Sequence, residues 1–306
     1  MTSAMQQLHV IDLHFQNIAG AIAAYVLETD AGPILFETGP GSTTAALEGG
    51  LQQLGYEVAD LQAACVTHIH LDHAGAGGWV ASHGVPIHVH EFGAKHLIDP
   101  ERLLASARRI YQDRMDPLWG EFLAVPERHI VALHDGDCVS FGNVQINVIE
   151  TPGHARHHHA FAFSIDGERV AVTGDAGGTF IAEAPRFMSL PTPPPEFNLN
   201  AWLHSLDVLQ NEQFDALYPT HFNRVDDVAS HLDRVRGALR DHLAFVEEAS
   251  ALYQNDAGAI EHAYQQWFER QEQSAMVPPA KWPFYCSAGL IQMNVTGMLR
   301  HLAGDS

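Results

Sequence analysis

Cys65-Val66-Thr67-His68-Ile69-His70-Leu71-Asp72-His73-Ala74-Gly75 is the stretch that decides the reading of this chain. His68, His70, Asp72 and His73, all residue types that ligate metals, fall within six positions. The run Ala63 to Val66 before them is apolar and β-prone, and reads as a buried strand that delivers the cluster to a strand end. Ala74, Gly75 and Gly77 then admit the start of a helix near Trp79. Imidazole and carboxylate donors suit a borderline cation such as zinc, and equally iron or manganese. No thiolate is placed to join them.

Three later segments carry the same residue types: Thr151-Pro152-Gly153-His154, Thr173-Gly174-Asp175 and Pro219-Thr220-His221-Phe222. Together with His68-x-His70-x-Asp72-His73, in this order and spacing, they resemble the metallo-β-lactamase superfamily of hydrolases. The helical character after the last histidine is similar to its glyoxalase II-like branch. The resemblance implies an α/β fold, an αββα sandwich with the metals at one edge of two sheets. It implies that His68, His70 and His154 bind one divalent ion, that Asp72, His73 and His221 bind a second, and that Asp175 bridges them. Zinc is the first expectation for both, with iron or manganese accepting the same donors. Two such ions lower the pKa of a shared water and make hydroxide available near neutral pH, and Asp72 is placed to steer its proton.

The implied activity is hydrolysis of an ester-like bond in a small molecule, a thioester or carboxylic ester first, then a lactone or phosphodiester. Two other classes share part of the pattern: a mononuclear iron oxygenase of the persulfide type, and a non-catalytic metabolite-binding regulator. The family usually has aspartate in the loop after the second hairpin strand, where this chain has Glu37. That longer acid either supports the metal loop from behind or is solvated.

The formal net charge of -21, from 16 Lys+Arg against 37 Asp+Glu, repels phosphate backbones and anionic membranes. A hydrophobic content of 46% supports a sizeable core. Cys65, Cys138 and Cys286 are far apart and odd in number, which fits a reducing compartment and small buried side chains rather than a disulfide framework. Met1 to Val10 shows no export signal, and no apolar stretch reaches the roughly 20 residues of a membrane span. The expectation is a cytoplasmic protein.

Residues 1–227 read as the catalytic domain. Leu8 to Phe15 is a candidate edge strand, and Ala21–Leu27 with Pro33–Glu37 forms a hairpin about Asp30-Ala31-Gly32. A helix over Thr43–Leu54 and a strand over Pro86–Val89 follow. Residues 99–124 read as a helical lid, with Asp99 capping and Leu103, Leu104, Ala107, Ile110, Tyr111 and Met115 at helical spacing. Tyr111, Met115 and Trp119 are its candidate substrate contacts. The Pro-rich loop Phe180–Phe197 is expected to be irregular, and its Arg186 is a candidate for a substrate carboxylate. Strands are expected at 131–133, 138–141, 144–149, 160–165, 169–173 and 216–218. Residues 228–306 read as an all-helical extension, whose Trp267, Phe268 and Trp282 suit either a core or a homodimer interface.

Overall fold

The computed structural model describes residues 7–304. The reading of Met1 to Val10 as lacking an export signal therefore lies mostly outside the described residues. Strands β1 (Leu8–Asp12), β2 (Ala23–Thr29), β3 (Gly32–Phe36), β4 (Ala63–Cys65), β5 (Ile87–His90) and β6 (Ile130–Leu133) make a six-stranded sheet in that order. Strands β7 (Cys138–Phe141), β8 (Val144–Glu150), β9 (His159–Ile165), β10 (Glu168–Val172) and β11 (Ala216–Tyr218) make a five-stranded sheet, ordered β11-β10-β9-β8-β7. The first sheet starts as an antiparallel meander and turns parallel from β3 onward. In the second only β10 and β11 run parallel.

Alternation along the strands explains why the sheets stack. Tyr25, Leu27, Ile34, Phe36 and Cys65 from one sheet meet Val144, Ile146, Val148, Phe161 and Phe163 from the other in a single apolar layer. Phe36 stacks on Phe163 with ring centroids 5.2 Å apart. Each such buried side chain contributes about 1.5–3 kcal/mol.

The opposite faces are also apolar, so each sheet needs a second cover. Helices α1 (Thr44–Gln53), α2 (Leu71–Ala74), α3 (Gly77–Ser82), α4 (Glu91–Ile98), α5 (Glu101–Tyr111) and α6 (Met115–Trp119) lie in the part of the chain that builds the first sheet. Leu47 and Leu51 of α1 and Val80 of α3 pack with Val26, Leu35 and Ile87 of its strands. Helices α7 (Leu199–Asn211), α8 (Val228–Leu252), α9 (Ala257–Ala275), α10 (Trp282–Tyr285) and α11 (Ala288–Leu302) follow β10. Trp202 and Leu206 of α7 and Leu232, Val235 and Leu239 of α8 cover Ala160, Ala162 and Ala171 of the second sheet. The result is an αββα sandwich with a helical C-terminal region. Phe268 of that region is buried, and Trp267 and Trp282 pack partly buried on the same core.

Helix α4, which the composition of Glu91–Ile98 did not suggest, is capped by His90, whose Nδ1 accepts from Phe92 N at 3.1 Å. Residues 99–124 hold two helices, α5 and α6, because Gln112 ends α5 at φ 47 and ψ -125. Pro117 is accommodated because α6 is so short that its proline occupies the first turn, where a backbone N–H has no intrahelical acceptor. The cysteines are free: Cys65 is buried between the sheets, whereas Cys138 stands exposed on β7. No helix among the described residues is long and apolar enough to cross a membrane.

Candidate metal centre

The donor residues come from strand ends on both sheets. His68 and His70 follow β4, and Asp72 and His73 lie on α2. His154 precedes β9, Asp175 follows β10, and His221 follows β11. Glycines let the two loops of the second sheet close in. Gly153 has φ +129, and a Cβ there would stand 2.3 Å from Trp202 N. Gly174 has φ +51, and a Cβ there would stand 2.4 Å from Thr67 Oγ1. Neither position accepts a side chain without displacement.

Two groups of donor atoms result, each with its atoms within 4.8 Å of one another: His68, His70, His154 and Asp175 in one, Asp72, His73 and His221 in the other. In the first, His70 Nδ1 lies 2.9 Å from His68 Nε2 and 2.8 Å from His154 Nε2. Asp175 faces both groups. Its Oδ2 is 3.2 Å from His154 Nε2, and its Oδ1 is 3.3 Å from the Nε2 atoms of His73 and His221. Asp72 Oδ2 lies 3.6 Å from His221 Nε2.

The outer ring nitrogens fix what the inner ones present, with tautomers assigned from their partners. His154 Nδ1 donates to Pro191 O at 2.8 Å, and His221 Nδ1 donates to Ala21 O at 2.8 Å. His73 Nδ1 donates to Glu37 Oε1 at 3.0 Å, and His68 Nδ1 donates to Thr67 Oγ1 at 3.1 Å. A neutral imidazole that donates outward keeps a lone pair inward. Four rings thus turn their second nitrogens toward one small volume. His73 Nε2 and Asp175 Oδ1 are buried there without any hydrogen-bond partner in the protein. Inward-facing imidazole nitrogens around shared carboxylates are the donor chemistry of divalent cations. The residues fit a two-ion centre.

Electrostatics support this. Burial, together with the neighbouring rings, holds His68 and His70 well below the ordinary imidazole range, so both are neutral and able to ligate. Burial also lowers His154. At His73 and His221 burial acts downward too, but the nearby carboxylates, led by Asp175, outweigh it and raise both rings, His221 to about 10. Burial opposes ionisation of Asp72, yet His73 and His221 bring it down to about 2. A pocket with this much carboxylate around two imidazoles is built to neutralise positive charge.

Glu37 proves to be fully buried and not solvated. Its carboxylate accepts from Thr67 Oγ1 at 2.6 Å, Thr220 Oγ1 at 2.9 Å and Thr67 N at 3.2 Å, besides His73. It ties the loops of His68, His73 and His221 together. Its φ of 63 is a left-handed conformation that a glutamate adopts only when its surroundings demand it. The histidines after His154 find partners of their own. His158 Nδ1 meets Thr151 Oγ1 at 2.7 Å, His159 Nε2 donates to Val66 O at 3.1 Å, and His157 Nε2 lies 3.1 Å from Glu196.

The centre forms the floor of a cavity of about 190 Å³. Tyr111 and Trp119 line it. Met115 is buried in the core and does not line the cavity, whereas Leu118 and Trp119 of the same helix do. Arg186 lines a separate groove with Arg234 and Trp267, since the Pro-rich loop carries it toward α8 and α9. Sequence reading did not find Phe15, Arg114, Phe284 or Tyr285, which complete the walls. Phe15 and the Phe284–Tyr285 pair come from opposite ends of the chain and Arg114 from the 99–124 segment, and no local pattern marks them. The rings form a continuous surface: Trp119 stacks on Phe15 at 5.3 Å, Phe284 meets Phe15 edge-on at 5.9 Å, and Phe284 lies 5.5 Å from the His221 ring.

Comparison with known proteins agrees with this geometry. The family model described as metallo-beta-lactamase superfamily matches residues 18–221. An uncharacterized protein of Mycobacterium leprae (strain TN) is 32% identical over 114 residues, 37% of this chain and 49% of that protein. The chain thus spans about half the length of that curated relative. A metallo-beta-lactamase family protein from Thermus thermophilus superposes with a TM-score of 0.68 at 21% identity, covering 97% of this chain and 93% of the other. A class B3 di-zinc metallo-beta-lactamase from an Alaskan soil metagenome gives 0.55 at 18% identity, covering 78% and 92%. At these identities the superpositions speak for the fold.

Proposed function

Since the chain belongs to the metallo-beta-lactamase superfamily, we propose that it is a binuclear metal-dependent hydrolase of an ester-like bond, a thioester or carboxylic ester, in a small molecule. The observation that carries this reading is the two-part donor set joined by Asp175 at the floor of a cavity walled by aromatic rings. His68, His70 and His154 would hold one ion, Asp72, His73 and His221 the other, with Asp175 between. The all-nitrogen-and-oxygen donor set suits zinc, and the soil-metagenome structure of the same fold is described as di-zinc. Bound there, a pair of divalent ions supplies Lewis acidity and a lowered pKa for water.

The chain's own residues do the rest. Pro191 O, Ala21 O, Glu37 and Thr67 keep the ligating nitrogens bare and aimed. Asp72, only partly covered, would hold one ion through one carboxylate oxygen and, with the second, would steer the proton of the attacking water. Trp119, Phe15 and Phe284 exclude water and take the apolar part of the acyl group. The helical C-terminal region supplies Phe284 and Tyr285 to the walls, which supports placing the protein with the thioesterase-like members. The net charge of -21 counts against a polynucleotide in the same cavity.

The test is hydrolysis of an aryl-acyl thioester of glutathione by zinc-loaded protein, with and without chelator. The proposal expects chelator-sensitive turnover at about 10⁴ M⁻¹s⁻¹ or more. Absence of turnover on thioesters and esters alike, in protein verified to hold both ions, would overturn it.

A further inference from the structure

The cavity above the candidate centre contains one unexplained charge. Among the described residues, Arg114 is the only Lys or Arg that lines it, in a chain with 16 such residues. The only carboxylates in the lining, Asp72 and Asp175, belong to the metal centre. Arg114 is exposed and makes no ion pair or side-chain hydrogen bond among the described residues, although Asp113 and Asp116 stand beside it in sequence.

Tyr111 stands three residues before it. Its hydroxyl also makes no hydrogen bond among the described residues, and it too lines the cavity. Burial raises the Tyr111 pKa and the Asp72 carboxylate raises it further, while the Arg114 charge lowers it. Tyr111 is therefore within electrostatic reach of both the metal floor and the lone cation. Between those two ends the lining is apolar, with Ile110, Leu118, Trp119 and Phe284.

We propose that Arg114, with the Tyr111 hydroxyl beside it, is a specificity determinant for substrates that carry a carboxylate at the far end of an apolar or aryl acyl group. The inference rests on the ester-hydrolase reading and names its substrate class: an acyl ester or thioester, its scissile carbonyl over the centre and its carboxylate at the lid. Guanidinium recognises carboxylate through paired N–H donors, and a tyrosine hydroxyl supplies one more. In a protein this acidic a single cation at the cavity wall has a large influence on which acyl groups enter.

The experiment compares two aryl-acyl thioesters matched in size, one ending in a carboxylate and one in a carboxamide, on zinc-loaded wild type, Arg114→Gln and Arg114→Glu. Wild type is expected to favour the carboxylate by about tenfold or more in kcat/KM, the range for a charged hydrogen bond at a partly exposed site. Arg114→Gln is expected to erase that ratio, chiefly through KM, and Arg114→Glu to invert it. Equal ratios in the three proteins would overturn the proposal.

Binding supplies a second readout. A phenylalkyl sulfonate, a weak metal ligand, is titrated against its matched alcohol by calorimetry on the same zinc-loaded proteins. Wild type should bind the sulfonate more tightly and Arg114→Gln should not. If neither thioester is turned over but this difference appears, the ester reading fails and the anion site stands. If both are turned over without discrimination, the anion site fails and the ester reading stands.

Discussion

Replacing Glu37 by Gln changes one oxygen for an amide and is the most informative single perturbation of the fold around the centre. Oε1 accepts from Thr67 Oγ1, Thr220 Oγ1 and His73 Nδ1, and Oε2 accepts from Thr67 N. A glutamine keeps the first three contacts by placing its carbonyl oxygen at Oε1. Its NH₂ then faces the Thr67 N–H, donor against donor. An orphaned buried N–H costs about 1–3 kcal/mol, and the His73 bond drops from charge-assisted to neutral, which forfeits about 1 kcal/mol more. The expected destabilisation is about 2–4 kcal/mol.

The effect on metal should be uneven. Glu37 holds His73 directly and His68 only through Thr67, whose hydroxyl keeps its acceptor in the variant. Zinc affinity at the Asp72–His73–His221 site is expected to fall about 10–100-fold, the usual result of removing such a support, with the other site nearly unchanged. Competition titration against a chromophoric chelator separates the two affinities. Unchanged affinity at both sites, or an equal loss at both, would refute the view that Glu37 positions His73.

The loop of His154 should be as sensitive. Gly153→Ala puts a Cβ into Trp202 at a positive φ, and the melting temperature is expected to fall by about 5 °C or more; a wild-type melting curve would show that the loop yields. Acid should destabilise the fold well before carboxylates titrate. Burial lowers His88, His231 and His242 from 6.5 to about 4. Between those values the unfolded chain binds more protons, so stability is complete near pH 7 and is lost as pH falls from 6.5 toward 4, by up to about 3 kcal/mol per ring. Urea midpoints of metal-free protein, which set metal loss aside, should track this and flatten by about one proton in His242→Gln; a midpoint independent of pH over that window would contradict it. Trp119→Ala is expected to shift relative kcat/KM among acyl groups at least about tenfold while both ions remain bound, and identical kinetics on every acyl group would remove the lid from substrate selection.

Much of this was legible in the sequence where chemistry is local. An apolar run followed at once by four ligand-type residues is a strand ending in a site, and β4 with the His68–His73 loop is that arrangement. Asp30-Ala31-Gly32 marks the β2–β3 hairpin because only a turn tolerates those residues between two apolar runs. The long stripe from Val228 to Val246 announces α8, and the structure buries that stripe.

What sequence could not show is set by tertiary placement. Glu37 reads equally as a solvated acid until the loops of Thr67 and Thr220 close over it. Arg186 lies near Asp175 in sequence, yet its loop leads it to the other side of the helical layer, while Arg114, an ordinary arginine on a charged lid, arrives at the cavity. Met115 continues the spacing of α5, but one residue with positive φ breaks the helix before it, and its side chain is buried in the core. Phe15 and Phe284 are separated by nearly the whole chain and meet only because both ends pack over one edge of the sandwich.

Metal stoichiometry in Asp175→Ala tests the central claim most directly, because Asp175 faces both donor groups. Elemental analysis after zinc loading and gel filtration should give about two ions per chain in wild type and no more than about one in the variant, with chelator-sensitive hydrolysis lost. Two tightly held ions in the variant, or none in the zinc-loaded wild type, would contradict a binuclear centre joined at Asp175.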